Sequence, residues 1–264
     1  MTQPRIIDWH RAFGIAIKNL ISEYGYSVET EIEVSKQKQL LDLIIIRQDQ
    51  QPIDKTKLET LCDGFDNLTK YNLISYKSLH ESFNDFAAEE LYSYYISYRK
   101  LTEQKATKLT KADYQLYGIS TRQPEKLLQA VNHKQIKPGV YDLNTGLKPI
   151  RLLVLSALEQ KESNAILHLF SNKTEKLKYG YEHLDKTTFN ANYLPVIDKI
   201  LKLYKLEGLP MPYTEEQFLA DCRRDMLSNM TPQERLQGLR PQERLEGLRP
   251  EEIKEYLDSL QNKL

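Results

Sequence analysis

Apolar residues at Ile6, Trp9, Phe13, Ile17, Leu20 and Tyr24 recur in steps of three and four. That spacing gathers them on one stripe of a helix over 6–24, with Asp8 as a cap and Gly25 as its end. The period then changes. In YSVETEIEV (26–34), Tyr26, Val28, Ile32 and Val34 alternate with Ser27, Glu29, Glu31 and Glu33, which predicts a strand with one face in water. QLLDLIII (39–46) is an almost unbroken apolar run and predicts a strand buried on both faces; the short polar SKQKQ link suits an antiparallel hairpin. Further along, the pattern predicts a helix over 54–70, a strand NLISYKS (72–78), a long helix over 85–102, a strand YQLYGIST (114–121) and a helix near 124–132. GVYDL and IRLLVLSAL read as further strands, SNAILHLFS opens a helix, and 194–206 forms another amphipathic helix. Helix, strand, strand, strand, helix, strand is an α/β order, a mixed central sheet flanked by helices.

EGLPMPY, from 207, breaks the pattern with Gly and Pro. Beyond it the chain repeats with a period of nine: PQERLQGLR (232–240), PQERLEGLR (241–249) and PEEIKEYLD (250–258). Each unit opens on Pro, which suits a first helical turn, and the first two carry a Gly where the turn ends. Thr231 with Glu234 has the spacing of a capping box. The expectation is short helical turns broken at each Pro, ending in a longer helix near 250–261. So little area is buried per unit that the repeat lies on the main domain or projects as an interaction arm, and the arm is preferred. The division expected is a main domain over 1–206, a linker and connecting helix over 207–229, and a helical repeat tail over 230–264.

Composition narrows the class of protein. The 264 residues hold 37 Lys plus Arg and 37 Asp plus Glu, so no net charge draws the chain toward nucleic acid or an anionic membrane, although a local basic groove is compatible with that balance. The two cysteines, Cys62 and Cys222, sit far apart in no paired motif and suggest free thiols in a reducing compartment. MTQPRIIDWH lacks the apolar run of a signal peptide, and no stretch approaches the roughly 20 apolar residues of a membrane span. The expectation is a soluble cytoplasmic protein that does not enter a membrane.

One residue breaks the logic of its own element. Asp42 stands in the middle of the apolar run 39–46. An ionised carboxylate there loses several kcal/mol of hydration, on the order given for buried ions, unless a cation, a metal or several hydrogen bonds compensate. Alternation places Asp42 with Leu40 and Ile44, and places Ser75 on the same face as Lys77 in the strand 72–78. If the two strands share a sheet, Asp42 and Lys77 line one pocket. The alternatives are a structural Asp satisfied by backbone N–H groups and a solvated Lys at a strand end. Ser75 has no nucleophile motif and reads as a small strand residue. The tyrosines 92, 94, 95 and 98 could stack bases, but their helical spacing favours core packing. The five histidines show no metal-ligand spacing, and His80 is the one nearest Lys77 in sequence. Lys105, Lys108 and Lys111 form a basic stretch that could contact phosphates or simply face solvent.

A helix, a strand, a strand carrying Asp42, a strand ending in Ser75-Tyr76-Lys77 and a further helix resemble the PD-(D/E)xK nuclease core. The context over residues 5–205 resembles more narrowly the recombination-promoting nuclease (Rpn) family of transposase-like proteins. The resemblance implies a phosphodiester hydrolase acting on DNA, linked to recombination or mobile elements, with Mg2+ or Mn2+ as cofactor. It maps the metal-binding Asp onto Asp42, and the Lys that acts on the attacking water and the developing phosphorane onto Lys77. The acid expected two residues before that Lys is replaced by Ser75, which removes a full charge beside a divalent ion; one unit-charge pair at 4 Å is worth about 4 kcal/mol at an effective dielectric near 20. A displaced acid could restore it: Glu81 after the strand, Glu89 or Glu90 on the following helix, or Glu23. Glu90 is preferred, because a helix packed beside the strand can turn an acid back toward Lys77. Rival expectations are a catalytically degenerate nuclease fold that binds DNA or protein, and an adaptor working through the 230–264 tail. A protein partner at the tail and a homo-oligomer are both compatible with the sequence.

Overall fold

The structure is a computed structural model, and it describes residues 9–21, 24–33, 40–48, 58, 61–103, 109–184, 230–246 and 248–251, with isolated positions 200, 204, 220, 224, 253, 254 and 258. Two compact units divide at Tyr213 and Thr214.

The first unit is an α/β fold on a seven-stranded mixed sheet. Its helices are α1 (Trp9–Ile21), α2 (Asp85–Glu103), α3 (Glu125–Ala130), α4 (Ala165–His168) and α5 (Thr174–His183). Its strands are β1 (Tyr26–Glu33), β2 (Leu40–Arg47), β3 (Tyr71–Lys77), β4 (Tyr114–Ser120), β5 (His133–Lys137), β6 (Val140–Leu143) and β7 (Ile150–Val154), in the spatial order β1-β2-β3-β4-β7-β6-β5. β1, β2 and β3 form an antiparallel meander, as the short polar link predicts for the first two. β3, β4 and β7 run parallel, and β6 and β5 return antiparallel.

Register assigns the two faces. Ile44 pairs with Leu73, Leu73 with Leu116 and Leu116 with Ile150, so these share a face, and Ser75, Lys77 and Gly118 lie on it by alternation. α2 covers this face through Ala87, Ala88, Leu91 and Tyr95. Tyr92, Tyr94, Tyr95 and Tyr98 are all buried, so the tyrosine cluster belongs to the core. On the opposite face Phe13 of α1 stacks on Tyr76 with centroids 4.2 Å apart, and Phe170 meets Phe13 edge-on.

Three elements differ from the pattern reading. The helix expected over 54–70 does not extend through 61–70, which is a chain of turns. Gly64 adopts φ +96°, and Asp63 is held by Asn164, Lys137 and Lys161; burial pushes its carboxyl up, but these donors outweigh that and hold it below the usual range. Tertiary hydrogen bonds there replace a helical ladder. β5 was not predicted, because HKQIK is half-exposed or exposed throughout and carries no apolar signal. α5 was not separated from the segment opening at 163. The proposed Asp8 cap, Glu23 and most of the 194–206 helix lie outside the described residues, although Ile200 and Tyr204 are helical and buried.

Gly118 is required by packing. A Cβ at this position would lie within 3 Å of three atoms of the Phe83 ring. Phe83 is fully buried and anchors the loop between β3 and α2. Gly118→Ala is expected to destabilise the protein by about 1–3 kcal/mol, the range for an overpacked core, as measured by denaturant unfolding.

In the second unit, α6 (Pro232–Leu236) and α7 (Pro241–Leu245) are single turns that begin on the repeat prolines. The repeat reproduces its hydrogen bonds. Arg235 Nε donates to the Met230 carbonyl and Arg244 Nε to the Leu239 carbonyl, at 3.0 and 2.9 Å. Gly238 closes the first turn at φ +85°. At the second turn Glu243 accepts from the Arg240 backbone N–H and from its guanidinium, both at 2.8 Å; the Glu234 side chain proposed to pair with Thr231 lies outside the described residues. Leu236, Leu239, Leu245 and Leu248 are exposed. Of 207–229 only Ala220 and Arg224 are described, both helical.

Candidate active site

The β2–β3 ladder runs from Ile46–Tyr71 to Leu43–Ile74 and goes no further. One more pair would set Asp42 across from Ser75, and the next would give the Tyr76 backbone to Leu41. Side chains take those backbone groups instead. The Tyr76 N–H donates to Asp42 Oδ2 at 2.9 Å, and the Tyr76 carbonyl accepts from His10 Nε2 at 3.0 Å. Asp42 therefore fills the point where two strands separate. This accounts for a carboxylate inside an apolar strand: it caps an open ladder and is not buried among methyl groups alone.

Around this opening the charged groups of three further elements converge. His10, at the start of α1, places Nε2 3.7 Å from Asp42 Oδ1 and 3.5 Å from Glu81 Oε2. Glu81 sits in a tight turn whose N–H donates to the Ser78 carbonyl at 3.2 Å, while the Ser78 N–H lies 3.5 Å from Glu81 Oε2. Lys77 leaves the end of β3 with only 16% of its side chain exposed, and its Nζ is 3.6 Å from Glu90 Oε2 on α2. Tyr94, one turn after Glu90, hydrogen-bonds to Glu90. Burial first, then Glu90 and the charge of Asp42, push the Tyr94 phenol above its ordinary range, so it remains a neutral donor.

Of the acids weighed for the missing position, Glu90 reaches Lys77 and Glu81 reaches the His10 side of Asp42. Glu89 points outward and is exposed. Lys105 and Lys108 lie outside the described residues. His10 is the site residue that sequence reasoning missed: it is 66 positions from the Tyr76 carbonyl it bonds, and an isolated histidine has no spacing to betray it.

Ser75 is 1% exposed, and its hydroxyl has no hydrogen-bond partner. Among the described residues, no group of three or more His, Cys, Asp or Glu side chains is placed to hold a metal ion. Asp42 Oδ1, Glu81 Oε2 and the Tyr76 carbonyl oxygen lie 3.7, 3.5 and 3.0 Å from His10 Nε2, and the carbonyl is its hydrogen-bond acceptor.

Burial raises the Asp42 carboxyl above its ordinary range; His10, the Tyr76 N–H and Lys77 pull it down, and Glu81 adds to the rise. Because the folded value exceeds the unfolded one, the native state holds more protons between the two. Stability is therefore greatest below the unfolded value and falls as pH rises through the folded one. Asp42→Asn keeps an oxygen for the Tyr76 N–H and removes the ionisation. In metal-free buffer it is expected to match or exceed the wild-type melting temperature at pH 7 and to lose the decline through that window. A clear loss of stability at pH 7 would make Asp42 a structural carboxylate.

No helix among the described residues is long and apolar enough to cross a membrane. Comparison with protein-family models, with curated proteins and with solved structures finds no match.

Proposed function

We propose that the chain is a divalent-metal-dependent DNA endonuclease of the PD-(D/E)xK type, similar to the Rpn family and linked to recombination or mobile elements. The observation that carries this reading is the meeting of Asp42 with the Lys77–Glu90 pair at one end of the sheet, on the face shared by Ser75. Glu81 would stand in for the carboxylate absent at 75, while Glu90 on α2 faces Lys77. Asp42 and Glu81 present the oxygens that would hold the cation, with the Tyr76 carbonyl beside them. Bound Mg2+ or Mn2+ would polarise a phosphate oxygen and acidify water. Lys77 would meet the negative charge that develops on the phosphoryl group and stabilise it more than the ground state. Glu90, held by Tyr94, orients the Lys77 ammonium, so helix α2 sets the aim of a strand residue.

The test is incubation of plasmid and single-stranded DNA with the protein in Mg2+, Mn2+ or EDTA. Metal-dependent cleavage that Asp42→Ala abolishes supports the reading. The serine at 75 favours one rival, a degenerate fold that binds DNA or protein. That rival is supported by absence of cleavage in either metal together with binding indifferent to EDTA.

A further inference from the structure

Helix α2 descends from the end of the sheet where Lys77 lies. Glu90 meets Lys77 at the end of β3, Tyr95 meets Tyr114 at the start of β4, and Tyr98 meets Tyr71 at the start of β3. The helix therefore runs antiparallel to β3, and its first turn rises past the strand end. Phe86 belongs to that turn, four residues before Glu90, so its Cβ stands about 5–6 Å from that of Glu90 on the same flank of the helix. Its ring is 69% exposed, the largest exposure of any large hydrophobic side chain among the described residues.

The ring is fixed as well as open. The Ala87 N–H donates to Asn84 Oδ1 at 2.9 Å, which caps the helix just before it. Phe83, fully buried against Gly118, and the buried Ala87 and Ala88 take the inward directions, so the Phe86 ring stays outside the core. Its neighbours Asp85 and Glu89 are exposed and acidic. A protein partner would need a contiguous apolar patch, and this is a single aromatic face among polar groups. The two carboxylates turn phosphates away. What the ring can take is an uncharged, flat group whose charged part lies elsewhere, and the cation one helical turn away is Lys77.

We infer that Phe86 is a stacking platform for an unpaired nucleobase: the phosphate beside that base lies at Lys77, the ring holds the base at the mouth of the opening, and single-stranded DNA is the substrate of this site. The inference rests on the reading that the site cleaves DNA phosphodiesters. In a duplex both faces of a base are covered by its neighbours, so a ring fixed on a helix finds no free face. In a single strand the bases can splay and stack on it, whatever their identity, so the subsite selects strand state and not sequence. A base held on Phe86 also limits the orientations in which its phosphate meets Lys77.

The test measures binding of a fluorescent single strand, its duplex and the same strand with abasic positions to the full chain. It is run in EDTA and in Mn2+, with phosphorothioate links so that no strand is cut. Phe86→Ala is expected to bind the single strand about tenfold more weakly than wild type, within the range for one stacked base, and to bind the other two as wild type does. Phe86→Trp should restore binding, and Phe86→Leu, apolar but without a ring face, should not. Equal binding of the single strand by wild type and Phe86→Ala overturns the inference and leaves the nuclease reading intact. A loss of the same size on duplex and abasic strand, or recovery by Phe86→Leu, overturns it too. If wild type neither binds nor cleaves DNA with or without Mn2+, the nuclease reading fails and the subsite with it. Should Phe86→Ala not fold, a strand carrying 2-aminopurine decides the matter with wild-type protein. Stacking quenches its fluorescence, so quenching on binding is expected, and undiminished fluorescence at saturation overturns the inference.

Discussion

Lys77→Ala is expected to lower DNA cleavage by about 10²–10³-fold, the usual effect of removing one preorganised group that stabilises transition-state charge. The same change should cost less than about 1 kcal/mol of folding stability. The Lys77–Glu90 pair is partly exposed at 3.6 Å, and such pairs contribute little. Glu90 also keeps its hydrogen bond to Tyr94, so the carboxylate is not abandoned. A large loss of activity with little loss of stability separates a role in the reaction from a role in packing. Cleavage at the wild-type rate would leave Lys77 with no part in the reaction and would remove the main support for the nuclease reading. Lys77→Arg retains charge but offers a planar fork in place of a compact ammonium, so it should recover only part of the activity.

Ser75→Glu should have the largest effect on stability. Ser75 is 1% exposed, across the sheet from Gly118 and the Phe83 ring that rests on it. A glutamate there must find volume in a packed layer and brings a charge next to Asp42. In EDTA it is expected to lose about 3–5 kcal/mol, the range for an uncompensated buried charge. Ser75→Gln has nearly the same shape without the charge, so the difference between the two variants isolates the electrostatic part. If the opening is a metal site depleted of one acid, Mn2+ should stabilise Ser75→Glu more than it stabilises wild type, and cleavage should rise. If Glu81 already serves in place of the missing acid, a third carboxylate crowds Asp42 and wild type should be the more active. A Ser75→Glu protein that is destabilised and gains nothing from Mn2+ would show that no cation is held there.

Much of the fold was legible because it depends on local period. Strict alternation over 26–34, the apolar run over 39–46 and the helical spacing over 85–102 each fix an element whose hydrophobic side has one sensible direction, and β1, β2 and α2 follow them within a residue at each end. Asp42 was legible for the opposite reason: a carboxylate in an apolar run contradicts its surroundings and demands a partner. Parity within β3 also put Ser75 and Lys77 on one face before any pairing was known.

What the sequence could not express was set by contacts between distant segments. Residues 61–70 carry Asp63-Gly64 and Asp66-Asn67, turn signals that the helical reading of 54–70 passed over, and the partners Asn164, Lys137 and Lys161 that fix Asp63 there are all distant. β5 is an edge strand of polar residues, recognisable only once β6 offers it hydrogen bonds. Glu90 and Glu89 are equivalent in sequence, and the rotation of α2 over the sheet turns one toward Lys77 and the other to solvent. His10 enters the site because β2 and β3 stop pairing one step before Asp42, which frees the Tyr76 backbone for side chains. The sequence by itself determined where an uncompensated charge would lie and which residues share its face. Only the tertiary structure decided which groups compensate it, because compensation depends on distances across the sheet that no local period encodes.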